Sequence, residues 1–358
     1  MARGSSTERY REMRDFEATP EPAGGEPSPP PEGEPRFVIH QHDATRLHWD
    51  LRLEHEGALA SWAIPRGIPW DPDDNHLAVH TEDHPIEYLE FSGEIPEGNY
   101  GAGTMTIWDS GTYEAYEWED RKVVITLKGE RAQGRYSLFA TRGRDWMIHR
   151  MDPPADPARR QPPTDLQPML AVPGDLPNKG DHAFEVRWVG TRVLLTSAGG
   201  VTEIVDAAGT DIGPALPEVR RIGRALGATE VILDGVVVAL DRGAPSSDAA
   251  AVDRRLRASE SRVRRMAEQE PLAVIVFDLL WLDGHPILDR PWRERRELLE
   301  DLDLAGPAWQ TPAAHRGDGA DLLAAAGAQG LPGLVAKRTD SPYRPGEKSD
   351  DWIEVAAP

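Results

Sequence analysis

The sequence predicts a multidomain chain: an all-β N-terminal domain, barrel or sandwich, joined through a proline-rich stretch to a C-terminal α/β or α+β domain. Three observations carry that prediction. The chain has 358 residues, enough for two domains that each bury a core. Between 36 and 150, short strand-like runs recur with turn residues between them and no long helical period. From 168 onward, strand-like runs alternate with helix-like ones.

In chain order, residues 1–16 are an N-terminal arm of mixed charge with Tyr10 and Phe16, expected as a short helix or ordered segment. Residues 17–35, EATPEPAGGEPSPPPEGEP, are too rich in Pro, Gly and Glu to bury much surface and are expected to be a flexible linker. The β domain, 36–151, holds RFVIHQ, the run 47–54, ALASWAIP, HLAVHTE, GTMTIWD, KVVITLKG, GRYSLFA and DWMIHRM as strands. A second proline-rich stretch, 152–167, marks the boundary. In 168–358 the segments EVRWVGTRVLLTS, EVILDGVVVALD and LAVIVFDLLWLDG read as strands. PEVRRIGRALG, SDAAAVDRRLRASESRVRRMAEQ and RPWRERRELLEDL read as helices.

No apolar run approaches a membrane span and the first 16 residues lack an apolar signal region, so the chain is expected to be soluble and cytoplasmic, with no membrane partner. With no cysteine, disulfides, thiol catalysis and Cys-ligated zinc are excluded, and any metal is held by His, Asp or Glu. A formal charge of -21 argues against a general DNA-coating protein. Lysine occurs only at 122, 128, 179, 337 and 348, so arginine carries nearly all the positive charge.

The chemistry concentrates in residues 40–54, HQHDATRLHWDLRLE. From Leu47 to Leu53, apolar residues alternate with His48, Asp50 and Arg52, the period of a strand with one buried and one open face. On that open face two imidazoles, His42 and His48, one carboxylate, Asp50, and one guanidinium, Arg52, offer nitrogen and oxygen ligands beside an anion clamp. A single histidine on a strand implies little; the four residues together imply a metal and phosphate site.

HDATRLHWDLRLE, with RYREMRDFEATPEP, SWAIPRGIP, LAVHTEDHPIEY, IPEGNYGAG and TIWDSGTYE in the same order, resembles the 3′-phosphoesterase module of bacterial ligase D, over roughly residues 8–150. The resemblance implies a β-barrel and a manganese-dependent hydrolase that trims 3′-terminal ribonucleotides and 3′-phosphates from DNA primer ends. It implies His42, His48 and Asp50 as metal ligands, Arg52 and His84 as contacts to the scissile phosphate, and functional positions at Tyr88, Arg14, Asp15 and Glu21. The ligand types also suit zinc or another divalent ion. Two positions depart from the family pattern: Arg66 stands where lysine is common, and His76 where arginine is common.

PMLAVPGDLP, FEVRWVGTR, ILDGVVVAL, VFDLLWLDG, GLPGLVAKR and SPYRPGEKSDDWIEV, across 168–355, resemble the nucleotidyltransferase (adenylation) domain of ATP-dependent DNA ligases. Ligases load AMP onto the lysine of K-x-D-G-x-R; here that segment runs from Arg187 to Arg192, and arginine stays protonated. The resemblance also places Val189, Val236, Pro332 and Glu354 where polar catalytic residues are expected. Arg192 and Lys337 remain, read as vestiges on a scaffold surface. The chain stops soon after Trp352, so the OB-fold that follows in ligases is expected to be missing. The reading is thus an end-processing phosphoesterase, nucleoid-associated during bacterial end-joining repair, fused to a ligase-like domain that does not use ATP, with DNA 3′ ends and end-joining repair proteins as partners. An active DNA ligase and a noncatalytic DNA-end adaptor are the alternatives.

Overall fold

A computed structural model of the chain describes residues 7–24, 33–178, 181–241, 244–246 and 248–358. The start of the expected arm and the middle of the first expected linker, 1–6 and 25–32, lie outside the described residues. The chain divides into two compact units, Met1–Pro157 and Ala158–Pro358.

The first unit contains α1 (Glu8–Glu12), β1 (Arg36–Asp43), β2 (Leu47–His55), β3 (Ala58–Ile64), β4 (His76–His80), a 3-10 turn (Ile86–Glu90), β5 (Gly93–Ile95), β6 (Gly103–Glu119), β7 (Lys122–Lys128), β8 (Gln133–Arg142) and β9 (Asp145–Arg150). The strand order is β1-β2-β3-β4-β9-β8-β7-β6, and β6 returns to pair with β1. Every pairing is antiparallel and the ring closes, so the domain is a barrel and not a sandwich. Closure depends on β6, which runs far past the GTMTIWD segment and pairs with β1, β5 and β7. Register shifts at Trp108 and Tyr116 bend it around the barrel. Gly103, at φ +144°, opens β6 where a Cβ would sit 2.3 Å from the Asp43 carbonyl oxygen.

The apolar parity fills the interior: Ile39, Leu51, Leu53, Ile64, Ile125, Leu138 and Ile148 are all 0% exposed. Each contributes about 1.5–3 kcal/mol of burial. The opposite parity was expected to be open, and there the structure differs. Asp50 (6% exposed), Arg52 (3%) and Glu54 (6%) are nearly as buried as the leucines between them. Arg52 lies under the ring of Tyr88 in the 3-10 turn, where Tyr10, Tyr88 and Leu89 pack with Val38, Leu59, Ile95 and Met105, and Glu54 is held by Arg36 at 2.9 Å. This ordering extends into the expected linker: the Tyr10 hydroxyl donates to the Pro22 carbonyl at 2.6 Å, and Thr19 and Glu21 are buried. A buried aromatic and a set of charge contacts hold residues 17–24 despite a composition that alone predicts disorder.

The second unit has a five-stranded and an eight-stranded sheet. The run 185–197 is two strands in different sheets, His182–Val186 and Thr191–Ala198, rather than one. The arginine-rich run 247–269 is likewise two helices, Ala249–Leu256 and Glu260–Gln269. Strands Gly333–Arg338 and Lys348–Ala356 pair in the smaller sheet. One apolar layer holds Val193, Leu195, Leu233 and Val274. Another holds Met169, Leu194, Ile232, Phe277, Tyr343 and Trp352. Residues Arg159 and Arg160, expected in the second linker, engage this unit: Arg159 pairs with Glu230 at 2.9 Å and the Arg160 amide donates to the Gly284 carbonyl at 2.8 Å. Among the described residues no helix is long and apolar enough to cross a membrane.

Candidate metal and phosphate site

The antiparallel register sets His42 of β1 opposite His48 of β2, and His40 opposite Asp50. Their side chains therefore share the face beneath the arm. His42 Nε2–H donates to the Gly101 carbonyl at 2.9 Å, which leaves Nδ1 3.6 Å from Asp50 Oδ2. His48 Nδ1–H donates to the Arg46 carbonyl at 2.9 Å, which leaves Nε2 3.5 Å from Asp50 Oδ1. One ligand atom from each of the three lies within 4.8 Å of the others. The donor set fits a divalent ion, because each imidazole is oriented by a carbonyl on its far nitrogen and turns a lone pair toward the carboxylate.

Arg52 shares that carboxylate: its Nη2 donates to Asp50 Oδ2 at 2.9 Å and its Nη1 to Ser61 Oγ at 3.0 Å. Burial acts to raise the Asp50 carboxyl, but the Arg52 guanidinium and the two imidazoles override it and hold it well below the usual carboxylate range. The guanidinium also lies over the Tyr88 ring, 4.8 Å from its centroid.

His84 continues the cluster, its ring 4.8 Å from that of Tyr88. Its Nδ1–H donates to the Glu82 carbonyl at 2.8 Å, and its Nε2 meets Arg14 Nη2 at 3.3 Å. Burial, then the charges of Arg52 and Arg14, hold the imidazole well below its usual range, so it is neutral near pH 7. Arg14 is clamped between Glu21 (2.7 Å) and Glu82 (3.1 Å) and stacked 3.9 Å from the Tyr10 ring. The Tyr88 hydroxyl donates to Glu21. Burial pushes this phenol up, so it stays protonated.

Three candidates sit elsewhere. Asp15 is exposed and folds the turn that delivers Glu21, its carboxylate accepting from the Glu17 amide at 3.1 Å and its carbonyl from those of Ala18 and Thr19. Arg66 and His76 both bind Asp74, at 2.7 and 3.4 Å, and His76 Nδ1–H donates to the Gly67 carbonyl at 2.6 Å. They form a second cluster near the turn after β3.

In the second unit, Arg187 pairs with Glu354 at 3.5 Å on half-open surface. Lys337 is not the surface remnant expected: it is 1% exposed, with its ammonium 2.8 Å from Glu185 and over the rings of Phe277 and Trp352. Arg192 is held bidentate by Asp234 at 2.6 Å, and the Tyr343 hydroxyl donates to the same carboxylate. Lys337 and Arg192, unlike Arg187, are tied into buried ion pairs, because a strand that buries a cation must also bury its counterion.

The "Multifunctional non-homologous end joining protein LigD" of Mycolicibacterium smegmatis is 39% identical over 359 residues, 96% of this chain and 45% of that protein. The chain belongs to the ligase D family. The protein of the same name from Pseudomonas aeruginosa is 32% identical over 97% of the chain and 46% of its own length. The chain thus spans less than half the length of these ligase D relatives. The model for the DNA ligase D 3′-phosphoesterase domain matches residues 40–140, and that for the ATP-dependent DNA ligase domain matches 168–355. A solved mycobacterial DNA ligase D complexed with ATP and MES overlays on 54% of the chain and 60% of that one, with 31% identity and a TM-score of 0.45.

Within the ligase D phosphoesterase match lie His42, His48, Asp50, Arg52, His84 and Tyr88, whereas Arg14 and Glu21 reach the site from outside it. Sequence reasoning missed four residues that the structure adds: Tyr10, His40, Ser61 and Glu82. Tyr10 had a signal, an aromatic in a charged arm. Glu82 had one too, two residues before His84 on an extended segment. Ser61 and His40 are visible only through strand register, opposite Arg52 and Asp50 respectively.

Proposed function

We propose that the first unit is a divalent-metal-dependent phosphoesterase that trims DNA 3′ ends, removing a terminal ribonucleotide and then the 3′-phosphate, with manganese as its ion. The observation that carries this reading is one buried carboxylate, Asp50, shared between a two-histidine ligand pair and an arginine fork. A bound divalent ion supplies Lewis acidity toward a phosphate oxygen and lowers the pKa of water. His42, His48 and Asp50 would hold it. Arg52, fixed on two acceptors, faces developing charge on the non-bridging phosphate oxygens without having to reorganise. His84 is neutral and presents Nε2 as a lone pair, so in this arrangement it takes a proton or accepts a hydrogen bond rather than giving one. Arg14, held between Glu21 and Glu82, ties the arm over the site.

The second unit, in this reading, does not transfer AMP and does not use ATP. Support comes from Arg187, tied to Glu354, at the position where the ligase resemblance places the nucleophilic lysine. Lys337 is occupied by Glu185. The chain's place is DNA end processing in end joining beside other repair proteins, in keeping with the names of its relatives.

The full chain with manganese is expected to release phosphate from a 3′-phosphorylated primer-template, and chelation is expected to abolish release. No release at any divalent ion supports the adaptor reading instead. With labelled ATP no covalent protein–AMP adduct is expected; an adduct lost on changing Arg187 establishes the ligase reading.

A further inference from the structure

The site contains two buried polar atoms that complement each other. Arg52 Nε, a donor, and His40 Nδ1 are each buried without a hydrogen-bond partner. Arg52 makes one bond from Nη1 to Ser61 and one from Nη2 to Asp50, so Nε is the guanidinium nitrogen without a partner. His40 is 0% exposed, and its Nε2–H donates to the Phe91 carbonyl at 3.1 Å. A carbonyl only accepts, so the ring proton is on Nε2 and Nδ1 is a lone pair. Register puts the two residues on diagonal positions of one face, His40 opposite Asp50 and Arg52 opposite Val38. Both pack against the same ring: Arg52 4.8 Å and His40 6.0 Å from the centre of Tyr88.

Leaving either group unpaired in this interior is unfavourable, because each has lost its bonds to water on folding. Protein interiors answer such pairs with a bridging water, which needs at least two polar partners and here has a donor on one side and an acceptor on the other. We propose that His40 is a positioning residue for Arg52: one ordered water accepts from Arg52 Nε–H and donates to His40 Nδ1, completing the set of bonds that fixes the guanidinium plane. The three bonds then leave Arg52 no freedom to swing from Asp50 when a phosphate arrives. The proposal deepens the reading of the first unit as a phosphoesterase and rests on it for its kinetic consequence, though not for its geometry. His40 does not touch substrate in this role, since it is enclosed by Tyr88, Phe91 and the strand pair.

The test has a structural and a kinetic arm, both on the full chain. A high-resolution crystal structure is expected to show a water within about 3.2 Å of both Arg52 Nε and His40 Nδ1. A water touching only one of them, or Nε turned away from His40, overturns the proposal whether or not the enzyme is active. In phosphate release from a 3′-phosphorylated primer-template with manganese, His40→Leu is expected to lower kcat about tenfold with KM within about twofold, and His40→Gln, which keeps an acceptor, to recover most of the loss. A merely structural role predicts that both variants lose thermal stability and activity together; equal kcat in His40→Leu and wild type also overturns the proposal. If the leucine variant does not fold, the crystal arm still decides. If the wild type releases no phosphate while the water is present, the phosphoesterase reading fails and the positioning geometry stands.

Discussion

At the scale of single residues, Asp50 does two jobs: it completes the histidine pair and it anchors Arg52. Asp50→Asn keeps the shape but weakens both, and is expected to lower phosphate release by about a hundredfold or more with little loss of fold. His84 makes a prediction about pH. Its folded-state pKa is depressed by burial and by Arg52 and Arg14, against about 6.5 when unfolded. The unfolded chain therefore binds the extra proton first. The stability His84 contributes is complete above about pH 6.5 and is lost as pH falls below it. Denaturant midpoints of the full chain between pH 7 and 5 are expected to fall, with a shallower slope in His84→Gln; an unchanged slope contradicts the assignment. Arg187→Lys alone is expected to give no protein–AMP adduct from labelled ATP, because Val189 and Val236 still stand where the family's catalytic carboxylates are expected.

At the scale of elements, the arm is what separates this site from an open strand face. α1 and residues 13–24 bury Tyr10 completely and bring Arg14 and Glu21 to His84 and Tyr88. Tyr10→Ala removes a buried aromatic, a change that costs about 3–5 kcal/mol in a rigid core, which exceeds what so short an element can hold by its remaining contacts. The arm is expected to become protease-sensitive between residues 13 and 24 while the barrel resists, with reduced phosphate release. An arm that stays protected contradicts its role as the cover. This element was also the least legible in the sequence. β2 was readable because alternation marks it, and β1, β3 and β4 as short runs between turn residues, and with them His42, His48, Asp50 and Arg52. The order of residues 17–24 was not, because it depends on Glu21 meeting Tyr88, 67 residues away, and Arg14, itself held by Glu82, which no local composition records.

At the scale of the whole molecule, a phosphoesterase-family module and a ligase-family module share one chain. The first keeps a connected set of ligands, cations and a neutral imidazole under one cover. The second keeps its two sheets and apolar layers, but its cations Arg187, Arg192 and Lys337 are each tied to a carboxylate. Its class was legible from alternating strands and helices. The break of 185–197 between two sheets was not, since periodicity does not say which sheet a strand joins. Nor was the burial of Lys337, which depends on Phe277 and Trp352, distant in sequence, closing over it.

The most direct test of the central claim is the single-turnover rate of phosphate release from a 3′-phosphorylated primer-template by the full chain in manganese, compared with the variant carrying alanine at 42, 48 and 50 together. The account predicts release by the wild type and none above background by the triple variant, with both proteins folded. Equal rates in the two, or no release by the folded wild type, contradict it.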